Sequence, residues 1–339
     1  MTQPHPLLTI AIPTWKRAEY LALNLDQLAL LLKDVPQDSV EILVSDNASP
    51  DETPAIIARA INAGMPLTSI RNAENIGSDA NIAQCFNRAA GKYVLILGDD
   101  DLLVDGALTL LLDRLRQENY GTVVLRPYGY DHDFRAEFPG GAGDECVYDN
   151  MARFLAHAGP LVTLISGCIV NKSLLPMLDA SIFCGGNLVQ VHLVFLAALA
   201  AKKNLFLNKY LVACKRNNSG GYDFSSVFVT SFSAVLDAHR KDGLTQNSID
   251  AVENRFLLGY YPQYLLQQRM NRSGDLRATA ERFRKRFGAR ILFKYWIAPI
   301  LYLPRPLAIL WGMVATFLGR VLCGDLRRGL MFAFNKFRR

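Results

Sequence analysis

The sequence predicts an α/β protein, a Rossmann-like, mostly parallel sheet flanked by helices, followed by a helical, basic C-terminal region. Three observations carry this. Short, near-continuous apolar runs alternate with longer Leu- and Ala-rich stretches through the first 120 residues, the pattern of strands covered on both faces and joined by helices. The runs end in polar turn residues, where ligands bind in such sheets. Charge is segregated: residues 1–268 hold 21 Lys and Arg against 28 Asp and Glu, and residues 269–339 hold 16 against 3.

Taken in order, residues 7–12 form a short apolar strand closed by Pro13. Residues 20–32 are Leu-rich, without Gly or Pro, and read as a helix. A second strand, 40–44, ends at Ser45-Asp46-Asn47. Residues 54–63 are a helix stopped by Gly64, and 66–70 a third strand. A helix over 79–90 has Gly91 at its C-terminal cap. The fourth strand, 93–97, runs into Gly98 and three aspartates, and a helix follows over 106–116. Beyond residue 120 the pattern is less regular: a strand at 123–126, a loop-like stretch at 128–143, an apolar helix at 188–201, a short strand at 205–207 and a polar loop at 215–222. Residues 226–287 read as helices that grow more basic.

At 339 residues the chain can bury a substantial core as one large or two ordinary domains. Half of it is hydrophobic, with mean hydropathy slightly above zero and a net charge of +6. The six cysteines are scattered, with no CxxC, and read as reduced thiols rather than a disulfide frame or zinc site. The N-terminus lacks a charged n-region and its apolar run is short, so it reads as a buried strand, not a signal peptide.

Asp99, Asp100 and Asp101 are the chemical anomaly. Adjacent ionised carboxylates repel, and burying them unpaired is costly. A strand end carrying three of them calls for a cation, and with no His or Cys nearby a hard one, Mg²⁺ or Mn²⁺, fits best. That points to chemistry on a diphosphate. One of the three would alternatively serve as an acidic helix N-cap.

Five motifs in fixed order extend the picture: Ile12-Pro13-Thr14-Trp15-Lys16-Arg17, Val44-Ser45-Asp46-Asn47-Ala48-Ser49-Pro50-Asp51, Asn72-Ala73-Glu74-Asn75-Ile76-Gly77, Ala89-Ala90-Gly91-Lys92-Tyr93-Val94 and Leu97-Gly98-Asp99-Asp100-Asp101. Together, over residues 7–105, they resemble family 2 glycosyltransferases of the GT-A fold. Gly98-Asp99-Asp100-Asp101, Gly186-Asn187-Leu188-Val189-Gln190 and Asn217-Asn218-Ser219-Gly220-Gly221-Tyr222 resemble the branch that includes abequosyltransferases of bacterial surface polysaccharides. The resemblance implies a nucleotide-diphosphate-sugar donor, a divalent metal (Mn²⁺ or Mg²⁺) on a DxD-type motif, and inversion at the anomeric carbon. Alignment on the usual motif sets Gly98 and Asp100 as the pair, and a shift by one sets Asp99 and Asp101. One of Asp99, Asp100 and Asp101 would hold the metal, with another on the ribose or on metal-bound water; Asp99 also counts among the donor-binding residues.

Asp46 resembles the aspartate that accepts a hydrogen bond from the nucleobase, although Asp-Asn and Ser-Pro-Asp are also turn residues. Asp51 is assigned to capping the next helix. Pro13 and Thr14 resemble the loop lining the nucleotide, with Arg17 near a phosphate or the base, or else on the surface. Asn75 and Gly77 would let the backbone approach the ligand, or simply end a loop. Lys215 and Arg216 begin a glycine-hinged loop suited to covering a diphosphate, or a basic surface loop.

An inverting transfer needs a base for the acceptor hydroxyl. The downstream acidic pair of many relatives is missing, since residues 181–200 contain no Asp or Glu. The candidates are Asp131, Asp179 and His192; Asp133 shares the loop of Asp131, and a lone His on an apolar helix is often a core residue. The missing pair also suits a non-catalytic nucleotide-sugar-binding or assembly subunit of a polysaccharide-synthesis complex.

The domain reading follows: 1–225 the GT-A catalytic domain (1–120 nucleotide-binding, 121–225 acceptor-binding), 226–290 a helical extension, and 291–339 an amphipathic, basic tail. The apolar blocks at 291–303 and 306–318 are shorter than the roughly 20 residues a spanning helix needs. Their aromatic residues and Lys/Arg flanks suit an anionic membrane surface better than nucleic acid. The expected acceptor is a polyprenyl-diphosphate-linked glycan, and the expected place the cytoplasmic face of the bacterial inner membrane, as a peripheral protein.

Overall fold

The computed structural model describes residues 6–141, 143–216 and 221–324. Residues 217–220 of the basic loop and the tail from 325, with Arg327, Arg328, Lys336, Arg338 and Arg339, lie outside them. The chain divides into two compact units, Met1–Met151 with Leu161–Gly220, and Ala152–Pro160 with Gly221–Arg339.

The first unit is built on a nine-stranded sheet, counted over the described residues. Its parallel part comprises β1 (Leu8–Thr14), β2 (Val40–Asp46), β3 (Leu67–Arg71) and β4 (Tyr93–Ile96), in the spatial order β3-β2-β1-β4. Beyond β4 the sheet is mixed. It contains β5 (Leu102–Leu103), β6 (Thr122–Tyr130), β7 (Glu145–Tyr148), β8 (Cys168–Asn171) and β9 (Asn204–Lys215). Here β8 runs antiparallel to β4 and β6, whereas β6 and β9 are parallel. Helices α1 (Ala18–Leu31), α2 (Thr53–Asn62) and α4 (Ala107–Gln117) cover one face; α3 (Ser78–Arg88) and α5 (Val189–Ala200) cover the other. Leu21, Leu25 and Leu28 of α1 meet Leu8, Ile10 and Ile12 of β1. On the opposite face Phe86 and Leu193 meet Ala11, Leu43 and Val94. Each such side chain contributes roughly 1.5–3 kcal/mol, and burial on both faces is why β1 and β2 read as unbroken apolar runs.

Three local expectations change. Helix α3 ends at Arg88 with Ala89 as its C-cap, and Gly91 lies against β1 instead of capping the helix, its N–H donating to Thr9 Oγ1 at 2.8 Å. Strand β6 runs on to Tyr130 through Pro127, because its pairing with β9 shifts register at Arg126 and Pro127, where a missing N–H is tolerated. Strand β9 runs on from 207 to Lys215, because the polar residues that break its pattern have partners: Asn208 accepts from Arg126 at 2.7 Å, and Lys209 pairs with Glu145 at 3.2 Å.

The second unit is helical. It includes α6 (Gln246–Arg255), α7 (Tyr261–Asn271), α8 (Leu276–Phe287) and α9 (Arg305–Leu322), with a π-helical turn, Phe256–Tyr260, between α6 and α7. Buried Glu253 on α6 receives Arg286 from α8 at 2.6 Å, and also Arg290. One stripe of α9, Ala308, Gly312, Ala315 and Gly319, is buried. A Cβ on Gly319 would stand 2.1 Å from the Leu258 carbonyl oxygen, so this face docks backbone to backbone. The opposite face is apolar and open, with Leu310 61% and Phe317 57% exposed.

Candidate active site

The parallel strands set out the site. Their register aligns Thr14, Asp46 and Arg71, the last residues of β1, β2 and β3, in one row at the carboxyl edge. The chain leaving β4 at the same edge carries Gly98 to Asp101. Side-chain contacts join the ends: Thr14 Oγ1 donates to Asp99 Oδ2 at 2.8 Å, and Arg17, just before α1, reaches both Asp99 Oδ1 at 3.2 Å and Asp100 Oδ2 at 3.1 Å.

The three aspartates have different surroundings. Asp101 is turned inward. Its Oδ2 accepts from Ser166 Oγ at 2.5 Å, and its Oδ1 from the Lys215 backbone N–H at 3.3 Å. Ser166 Oγ also accepts the Gly98 N–H at 2.9 Å. Asp99 is buried between Thr14 and Arg17, whereas Asp100 keeps partial exposure and faces Arg17. Asp99 and Asp100 thus share the Arg17 guanidinium as their counter-ion. A Cβ on Gly98 would stand 3.2–3.4 Å from Asp100 Oδ1, Asp101 Oδ2 and Ser166 Oγ, so a carboxylate at position 98 would crowd three oxygens.

Burial dominates the electrostatics. It pushes Asp99 up to about 6, against the pull of Arg17 and Thr14, and Asp101 up to about 7, with Asp100 adding repulsion. Arg17 is itself pulled down by burial, but Asp99 and Asp100 outweigh that and hold it above its usual value. The pairing favours charge on both partners, but burial outweighs it at Asp99, the more deeply buried of the two, and not at Arg17. These carboxylates fit an open hard-cation site. Among the described residues no three His, Cys, Asp or Glu converge as a closed cage. Mg²⁺-like ions commonly take only one or two carboxylates and complete their shell with water and substrate phosphates.

Asp46 is 1% exposed. Its Oδ1 accepts the Ser49 N–H at 2.9 Å, while its Oδ2 is buried with no hydrogen-bond partner, the Arg71 guanidinium standing 3.5 Å away. A buried carboxylate oxygen without a donor is expensive, and a ligand N–H would satisfy it. Asn47 organises the adjoining loop, donating to Asn75 Oδ1 at 2.8 Å and to the Gly77 carbonyl at 3.2 Å. Asn75 accepts the Gly77 N–H in turn, at 2.9 Å, and Gly77 has φ +86°. Asn75 and Gly77 thus shape the rim beside Asp46. Pro13 lies in β1 opposite Ser45 of β2.

The base candidates separate. Asp131 follows β6, where its Oδ2 receives Arg216 at 2.7 Å and its carbonyl receives Lys215 Nζ. Tyr130 before it donates to the Asp100 carbonyl at 3.3 Å, so Asp131, Lys215 and Arg216 adjoin the aspartates. Glu137 accepts the Asp131, His132 and Asp133 N–H groups and pairs with Arg216, fixing this loop. Asp179 is not brought to the site: it accepts from Asn87 at 2.6 Å and from the Ser181 N–H at 2.9 Å. Asn87 sits in the last turn of α3, which runs from the carboxyl edge back to the start of β4, so Asp179 lies at the opposite edge. His192 stacks on Phe183 at 4.3 Å, a packing contact on α5.

Arg71 and Ser166 are not among the residues the sequence points to, and Asn47 appears there only as a motif and turn residue. The end of β3 beside Asp46 was the available signal for Arg71, and Asn47 follows Asp46 directly. Ser166 sits in a 3₁₀ turn, Ile165–Gly167, that no periodicity marks.

Residues 9–169 match the family model described as glycosyl transferase family 2, which supports a glycosyltransferase using a nucleotide sugar. No curated relative matches the chain. The crystal structure of S. aureus TarS 1–349 overlays with a TM-score of 0.55 at 17% identity, over 91% of this chain and 90% of that one. The same protein in complex with UDP-GlcNAc gives 0.55 at 16% identity and the same coverage. These overlays and the family match give the fold as GT-A. The mannosyltransferase PcManGT from Pyrobaculum calidifontis, in complex with GDP-Man and Mn²⁺, overlays more loosely, with a TM-score of 0.46 at 17% identity over 98% of this chain and 80% of that one.

Proposed function

We propose that this protein is a metal-dependent, inverting glycosyltransferase of family 2. It moves a hexosyl or deoxyhexosyl group from a nucleotide-diphosphate sugar to a polyprenyl-diphosphate-linked glycan, in the synthesis of a bacterial surface polysaccharide such as O-antigen or capsule. The observation that carries the proposal is the row of strand ends: Asp46 on β2, whose buried Oδ2 has the Arg71 ion pair but no hydrogen-bond donor, and, past β1, Asp99 and Asp100 after β4, Asp99 held by Thr14 and both by Arg17.

In this reading Asp46 Oδ2 accepts an N–H of the nucleobase, and Arg71 flanks the base. Pro13, Thr14, Asn75 and Gly77 line the nucleotide. Asp99 and Asp100 hold the divalent metal, which would supply Lewis acidity toward the leaving nucleoside diphosphate. Asp101 acts through Ser166 and the Lys215 N–H to fix the loop. Arg17, Lys215 and Arg216 bring positive charge to the diphosphate, and Asp131 is the base candidate nearest these groups. The open face of α9, together with Tyr295 at 73% and Tyr302 at 56% exposure in the segment before it, supports a peripheral position at the cytoplasmic membrane surface, where the acceptor would lie.

One observation favours a second reading, a non-catalytic nucleotide-sugar-binding or assembly subunit: Asp131 is already paired with Arg216. Donor turnover separates the two. Release of nucleoside diphosphate from a panel of sugar donors should fall by roughly 10²-fold or more in Asp100→Ala, the size of losing one leaving-group stabiliser. Equal release by wild type and variant would sink the catalytic reading.

A further inference from the structure

Arg17 occupies the place between Asp99 and Asp100 that a metal ion would have to enter. Its Nη1 is 3.2 Å from Asp99 Oδ1 and 3.1 Å from Asp100 Oδ2, so one guanidinium nitrogen neutralises both carboxylates. The side chain is held on its other flank by the Tyr20 ring, 5.9 Å from the guanidinium carbon, and is 30% exposed, so it has room to move. Asp101 is turned to other partners, its oxygens accepting from Ser166 Oγ and the Lys215 N–H.

We propose that Arg17 is a resident counter-ion that sets the loading order: the divalent metal enters together with the nucleotide diphosphate, not ahead of it. A metal arriving alone must displace Arg17 from two carboxylates and leave the guanidinium without an anion. A metal arriving with a diphosphate brings its own phosphate ligands and gives Arg17 a new anion in the same step. Metal and nucleotide are then coupled, each raising the other's affinity by the same factor. The inference rests on the donor-site reading above, and deepens it by assigning Arg17 a role that a phosphate-binding arginine alone would not have.

Mn²⁺ titration followed by electron paramagnetic resonance of the free ion, on the full chain, tests this without turnover. Wild type, Arg17→Gln and Arg17→Lys are titrated with Mn²⁺ alone, then with UDP, GDP or CDP, whichever binds wild type most tightly. For Mn²⁺ alone, Arg17→Gln should bind on the order of tenfold tighter than wild type, the usual scale of such a coupling. Arg17→Lys should fall between them, since a single ammonium bridges the two carboxylates less well. The gain in Mn²⁺ affinity on adding nucleotide should shrink accordingly in Arg17→Gln. If Arg17→Gln fails to fold, the comparison of Arg17→Lys with wild type carries the test. Equal affinity for Mn²⁺ alone in all three, with nucleotide still raising it, would overturn the loading order and leave the donor site standing. Failure of any protein to bind Mn²⁺ even with nucleotide would overturn both.

Discussion

At the scale of single residues, Asp46 separates its two oxygens by task. One is consumed by the Ser49 N–H, and the other is buried without a donor. Asp46→Asn would put an amide N–H₂ or a weaker acceptor at that point, so nucleotide affinity should drop by about 1–3 kcal/mol, the cost of a mismatched buried polar group. Calorimetric titration with the best-binding nucleoside diphosphate checks it; an unchanged Kd would remove the base-recognition role. Much of this was legible in the sequence, because Asp46, Asn47 and the aspartate triplet sit at strand ends that apolar runs mark clearly. The division of labour among Asp99, Asp100 and Asp101 was not. It depends on Ser166, which reaches Asp101 from 65 residues away, and on the Lys215 N–H. No spacing rule encodes those contacts.

At the scale of elements, Asp51 links two helices. Its Oδ2 accepts the Ala18 N–H opening α1 at 3.1 Å, and its Oδ1 accepts the Thr53 N–H opening α2 at 3.2 Å. Asp51→Ala removes both caps, so thermal unfolding should report a loss of about 1–2 kcal/mol, the usual value of a helix cap, with donor binding weakened through the displaced α1 and Arg17. A loss under a few tenths of a kcal/mol would show that solvent replaces the caps. The capping of α2 was readable from the chain; the cap on α1 is a contact across 33 residues. Strands β6 and β9 were foreshortened for a related reason. Pro127, Asn208 and Lys209 break the local pattern, and only their partners across the sheet show why the strands continue through them.

At the scale of the whole molecule, the proposed membrane-surface reading would join the charge asymmetry of the sequence to the outer face of α9. Helix α9 is the one described helix long and apolar enough to cross a membrane, by length and composition alone. Its small-residue stripe is spent on the chain's own helices, which leaves the opposite face for a surface. Replacing two of its open side chains, as in Leu310→Glu with Phe317→Glu, should disturb folding little, since exposed substitutions usually stay within about 0.5 kcal/mol. Partition onto anionic vesicles should nevertheless fall by at least about tenfold, from the lost apolar burial. Unaltered co-sedimentation of the doubly substituted full chain would refute the assignment. If the proposed reading holds, such a face would also change the units of the kinetics. An enzyme resting on a leaflet meets a lipid-borne acceptor by diffusion in two dimensions, so its rate follows molecules per unit area rather than per unit volume. Adding inert lipid at constant bulk acceptor would then slow the reaction, although no concentration in solution had changed.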